Sequence, residues 1–117
     1  MSDFSVARND MDTVSVISLK GYLDAHTAPI LEEAITQLVD EERVNIVVCL
    51  RELDYISSAG LGVFMGFIED IREKGGDIKL AEPTDKVFRV FDLLGFPVLY
   101  EIVKQKEEAI KRFTETN

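Results

Sequence analysis

The chain has 117 residues, 46% of them hydrophobic and 30% charged, a balance that suits one folded, soluble domain over residues 1–117 and leaves no need for disorder. Its net charge of −9 argues against direct capture of nucleic acid or of an anionic membrane and favours a protein partner with a basic face, although plain solubility would ask for the same charge. No apolar run approaches the roughly 20 residues that cross a bilayer, and the start Met1-Ser2-Asp3-Phe4 lacks the basic and apolar parts of a secretion signal, so no direct membrane insertion and a cytoplasmic location are expected.

In chain order, residues 3 to 8 and 13 to 20 read as two strands joined in a hairpin through Asn9 to Asp12. In the second, Val14, Val16 and Leu19 stand among polar residues, the pattern of a half-buried strand. Gly21-Tyr22-Leu23-Asp24 follows, then Thr27-Ala28-Pro29, where a capping hydroxyl and a first-turn proline mark a helix start. Leu31, Ala34, Ile35 and Leu38 recur at helical spacing, which predicts a helix over 28 to 41. The run Val-Asn-Ile-Val-Val-Cys-Leu at 44 to 50 is almost entirely apolar, as a central strand covered on both faces should be. Cys49, the one cysteine, reads as core; it allows no internal disulfide and no zinc cluster.

A second helix is predicted over 59 to 73, ended by Gly75-Gly76, with a short strand at 78 to 81. Pro83-Thr84-Asp85 opens a third helix whose Val87, Phe88, Phe91 and Leu94 form an inward stripe, and Gly95-Phe96-Pro97 closes it. Residues 98 to 102 read as an edge strand, and 104 to 114 as a charged helix with Ile110 and Phe113 inward. Strands alternating with helices predict an α/β fold: a mixed, mostly parallel central sheet of four to five strands with about four packed helices. Sites in such sheets form beyond the carboxyl ends of strands, which selects the loops at 21 to 26 and 51 to 60.

The second loop carries Asp54-Tyr55-Ile56-Ser57-Ser58-Ala59-Gly60-Leu61-Gly62. Its serines fall at a helix N-cap, and capping alone would explain a serine there. A helix N-terminus also offers unpaired N–H groups and partial positive charge, so a phosphate on Ser58 would be tolerated. Projected at about 100° per residue, Gly60, Phe64, Phe67, Ile68 and Ile71 face the core. Ser58, Gly62, Met65 and Glu69 face away, with Leu61 at the margin. An adaptable methionine and a glycine beside the serine suit a docking surface, although a lone exposed methionine is also ordinary.

These residues resemble the anti-sigma factor antagonists built on the STAS domain (sulfate transporter and anti-sigma factor antagonist). The resemblance covers nearly the whole chain, through Gly21-Tyr22-Leu23-Asp24, the Thr27-Ala28 helix start and, most specifically, the motif from Asp54 to Gly62. It implies a STAS-like domain and a protein that binds an anti-sigma factor which is also a serine kinase, freeing a sigma factor. It further implies that phosphorylation of a loop serine dissolves the complex and that a serine phosphatase restores it. Carried onto this sequence, the family's phosphoserine falls on Ser58, and Asp24 matches an acidic residue beside it. Many members have aspartate before that serine and serine or threonine after it, whereas this chain has Ser57 and Ala59, so Ser57 is a competing acceptor. Partner contact is expected from Asp24, Asp54, Ser57, Ser58, Gly60, Leu61, Gly62 and Met65.

Other classes fit less well. Asp54 follows a buried strand as a response-regulator phosphoacceptor would, but 21 to 24 supply only one further carboxylate for Mg²⁺. Ser-Ser-Ala-Gly-Leu-Gly is not a Gly-x-Ser-x-Gly elbow, and His26, the only histidine, reads as a surface residue before a helix and not as a catalytic base. Gly62 and Gly66 form no phosphate-cradling Gly-x-x-x-x-Gly-Lys loop, so neither a nucleotide cofactor nor catalysis is expected. The working alternative is a STAS subunit that is never phosphorylated, in a lipid transporter or a stress-sensing assembly.

Overall fold

The hairpin at the start of the chain sets the frame for everything after it. In the computed structural model, which describes residues 4–114, β1 (Phe4–Met11) pairs antiparallel with β2 (Val14–Leu23), and Met11 lies opposite Val14. Asp3, the first residue of the predicted strand, lies outside the described residues, as do Met1 and Ser2. The connection is therefore Asp12 and Thr13 alone, with Asp12 at φ 60°, a left-handed backbone that aspartate tolerates. Both strands outrun their predicted ends. Asn9 and Asp10 read as turn residues by composition, yet β1 is an edge strand whose outer half meets water, where polar side chains are admitted.

β2 differs from expectation more deeply. Val14, Ser15, Val16 and Ile17 are all buried, so it is a central strand covered on both faces and not a half-buried one. Ser15 is accommodated because its Oγ accepts from Arg43 Nε at 2.6 Å, which satisfies the buried hydroxyl. β3 (Asn45–Ile56) runs parallel to β2 on one side and to β4 (Asp77–Ala81) on the other. Two register irregularities against β2 add residues to β3 along its second half. That half extends past β4 and pairs with β2 only, so Arg51, Glu52 and Asp54 stay exposed within a strand where a loop was predicted.

The sheet order is β1-β2-β3-β4-β5, with the two-residue β5 (Ile102–Val103) parallel to β4 at the far edge. One face is covered by α1 (Ala28–Asp40), α2 (Ser58–Glu73), α3 (Asp85–Leu93) and a single-turn α4 (Phe96–Leu99). These helices send Leu31, Ile35, Phe64, Ile68, Phe91 and Phe96 into one core with Ile17, Val48, Leu50 and Leu80 of the strands. The other face carries a smaller core of Val14, Val16, Val47, Cys49 and Ala81, closed by α5 (Lys106–Thr114) through Ala109, Ile110 and Phe113. α2 stops at Lys74, after which Gly75 turns the chain at φ 87°, as its position had indicated.

Two expectations about the α3 region are corrected. Phe88 and Leu94, assigned to the inward stripe, are exposed, and only Val87 and Phe91 are buried, because α3 is too short to lay a wider face on the sheet. The edge strand predicted at 98 to 102 is instead α4 followed by two strand residues. Pro97 sits in the first turn of α4, where its missing N–H costs nothing.

Candidate functional site

β2 and β3 end side by side, with Leu23 paired to Ile56. The chain therefore leaves both strands at one place, and the Ser57 N–H donates to Leu23 O at 2.9 Å, tying the two exits together. Asp24 follows Leu23 and fastens the corner into α1. Its Oδ1 accepts from the N–H groups of His26 at 3.0 Å and Thr27 at 3.2 Å, an aspartate turn. Thr27 does not cap α1 with its hydroxyl as predicted. It is turned back onto the strand end, where its Oγ1 donates to Tyr22 O at 2.8 Å and accepts from the Asp24 N–H at 2.9 Å. His26 lies exposed on this turn.

The predicted loop at 51 to 60 contracts to Ser57, the N-cap of α2, which has extended backbone at φ −101° and ψ 173°. Ser58 is the first helical residue. The two hydroxyls stand in opposite environments. Ser57 Oγ makes no capping bond and is buried with no hydrogen-bond partner, whereas Ser58 is exposed. With no side-chain cap, the first-turn N–H groups of α2 remain open to an anion beside Ser58.

Gly60 and Leu61 face inward. A Cβ on Gly60 would lie 2.6 Å from Leu23 Cγ and 3.2 Å from Ile56 Cγ1, so the missing side chain is what lets α2 sit close on the strand ends. Leu61, placed at the margin by projection, is buried, because α1 lies beside α2 and widens the covered arc beyond the sheet-facing side. Phe67 is only half-buried. Gly62 and Gly66 have nothing within 4 Å of a would-be Cβ, and Met65 is 55% exposed. Of the residues assigned to partner contact, Asp24, Asp54, Ser58, Gly62 and Met65 present surface here. Gly60 and Leu61 shape that surface from beneath, and Ser57 presents only its half-buried backbone region.

Sequence reading missed a tyrosine pair. Tyr22 and Tyr55 are register partners at the strand ends, both exposed, with ring centroids 5.8 Å apart. Their signal was present in the alternation of Gly21, Tyr22 and Leu23, but it becomes legible only once β3 is known to reach Ile56. Among the described residues no three His, Cys, Asp or Glu side chains converge as metal ligands would, and no helix is long and apolar enough to cross a membrane.

The profile of the STAS domain family matches residues 6–109 of the chain. The anti-sigma-B factor antagonist of Bacillus subtilis (strain 168) is 30% identical over 81% of this chain and 86% of its own length. Among solved structures, an anti-sigma factor antagonist from Mycobacterium paratuberculosis superposes with a TM-score of 0.86 at 24% identity, covering 94% of this chain and 93% of that one. The anti-sigma factor antagonist SpoIIAA, solved in its unphosphorylated form, superposes at 0.82 with 23% identity over 98% of this chain and 99% of its own. Its phosphorylated form superposes at 0.72 with 23% identity over 95% and 99%. At these identities the solved structures speak for the fold: a five-stranded, mostly parallel mixed sheet with helices on both faces.

Proposed function

The chain belongs to the STAS domain family, and from that premise we propose that it is an anti-sigma factor antagonist switched at Ser58. Working as one domain over residues 1–117 in the cytoplasm, it binds an anti-sigma factor that is also a serine kinase and so releases a sigma factor. It is a binding protein and not an enzyme. The kinase transfers phosphate to the Ser58 hydroxyl, the complex falls apart, and a serine phosphatase resets the cycle.

The observation that carries this reading is the contrast between the two serines. A kinase must reach the hydroxyl, and Ser58 is exposed at the helix start while Ser57 Oγ has no open surface. Phosphate brings about −1.5 to −2 charges, and the uncapped N–H groups of α2 can hold it without refolding. It would add negative charge near the strand ends that carry Asp24, just after β2, and Asp54, two residues before the end of β3, and would place bulk beside Gly62 and Met65, where a partner must come close. A penalty of about 1.4 kcal/mol already weakens binding tenfold.

Phosphosite mapping by mass spectrometry, after incubation with the kinase partner, tests the assignment. Modification at Ser58 is the expected result, and modification confined to Ser57 would overturn it. Co-purification of transporter subunits in place of a kinase would favour the role of a subunit that is never phosphorylated.

A further inference from the structure

The most exposed large hydrophobic residues of the described chain lie away from the switch. Val98 is 89% exposed, Leu93 80% and Leu94 57%, and Leu99 and Phe88 beside them are exposed as well. Their exposure is built into the corner between α3 and α4. Phe96 is the one residue of α4 that is buried, held between Phe91 at 5.2 Å and Tyr100 at 4.9 Å between ring centroids. With that single aromatic anchored inward, a one-turn helix must present Pro97, Val98 and Leu99 outward. Pro97, Val98 and Leu99 border a groove of about 540 Å³ whose other apolar walls are Phe88, Tyr100 and Ile102.

This corner and the switch sit at opposite ends of the molecule. Ser58 opens α2, whereas Arg72 in its last turn donates to Leu99 O and bridges to Asp77 at the start of β4. Fourteen residues of helix separate the two places by roughly 20 Å. The charges differ too. The ions that line the groove are already paired with each other, Arg72 with Asp77 at 3.0 Å and Arg112 with Glu101 at 2.5 Å, so the groove itself carries no net charge.

We propose that this corner is a self-association surface, on which two copies meet across a two-fold axis with the ridge of Leu93, Leu94 and Val98 of one seated in the groove of the other. A second copy is the occupant that the charges fit. In a two-fold contact each patch faces its own kind, so an acidic patch repels itself, while an apolar patch rimmed by paired ions does not. A basic partner would find no unpaired carboxylate in the groove, where Asp77 and Glu101 are both bridged. The exposed apolar area is on the order of 500 Å² per copy, about 1,000 Å² in a pair, which suits a reversible dimer and not a permanent one. Both Ser58 sites remain free in such a pair.

Sedimentation equilibrium of the full chain, from about 1 µM to about 1 mM, tests this with no partner present. The average mass should rise from one chain toward two, and added salt should not weaken the association, because it screens the repulsion between two like-charged copies. Combining Val98→Glu with Leu93→Glu should hold the mass at one chain throughout, with the melting temperature unchanged because both side chains are already solvated. Val98→Ser should weaken the dimer severalfold by the same logic, and Met65→Asp, at the other pole, should leave it intact. A single-chain mass up to about 1 mM, a dimer that survives the double substitution, or open-ended polymers would each overturn the proposal.

Discussion

Ser57 and Ser58 are adjacent in sequence and equivalent in composition, yet the first turn of α2 separates them completely. An N-cap serine normally contributes about 1 kcal/mol through its capping bond. Ser57 makes none, and its hydroxyl is buried without a partner, a position in which removing the hydroxyl is neutral or favourable. Ser57→Ala should therefore change stability by less than about 0.5 kcal/mol or raise it, read as the denaturant midpoint. A loss of a full kcal/mol would show that the hydroxyl is bonded in solution. That Ser58 faces out could be read from helical projection. That Ser57 faces in could not, because the N-cap lies outside the helix and its side-chain direction depends on how the strand delivers the chain.

At the scale of elements, α2 shows where periodicity succeeds and where it stops. Phe64, Ile68 and Ile71 are buried and Met65 exposed as 3.6-residue spacing requires, but the burial of Leu61 depends on α1 alongside, a neighbour no single-helix projection contains. The tail of β3 was illegible for a related reason. Arg51, Glu52 and Asp54 are polar because the strand outruns its β4 neighbour, and polarity alone reads as loop. The glycines of α2 then separate by role. Gly60→Ala would force a Cβ to 2.6 Å from Leu23 Cγ and should destabilise by about 1–3 kcal/mol, as overpacking does. Gly62→Ala has free space and should stabilise the helix by up to about 1 kcal/mol while weakening partner binding. Thermal melting of the pair checks this, and a stabilised Gly60→Ala would mean that α2 does not sit on the strand ends as described.

Across the whole molecule the ion pairs make stability depend on acid. Hydrogen bonding to the Arg8 guanidinium, helped by Ser15 and Arg43, lowers Asp10 from 3.8 to about 2. Arg8 likewise lowers Glu41, and Lys79, then Arg112, lower Glu101. Carboxylates depressed in the folded state stabilise it above their unfolded pKa and lose that contribution as pH falls through the folded value. The melting temperature should thus fall between about pH 4 and pH 2, and Arg8→Gln should flatten part of that slope, since it frees Asp10 and Glu41 together. An unchanged slope would mean that the β1–α1 network is not formed in solution. The α/β class, the hairpin and the crossover were legible from apolar runs and glycines, whereas Ser58 was singled out by the family resemblance of its motif. The α3–α4 corner was not, because its leucines look like core in any count that ignores how one buried phenylalanine turns them outward. The central claim is that phosphate at Ser58 acts on the interface and not on the fold. It is tested most directly by calorimetry of the unmodified, Ser58-phosphorylated and Ser58→Ala forms against the kinase partner, with melting curves of all three. The expected result is tight binding by the unmodified and alanine forms, binding weakened at least tenfold by phosphate, and nearly equal melting temperatures. Equal affinities, or a phosphorylated form that has lost its fold, would contradict it.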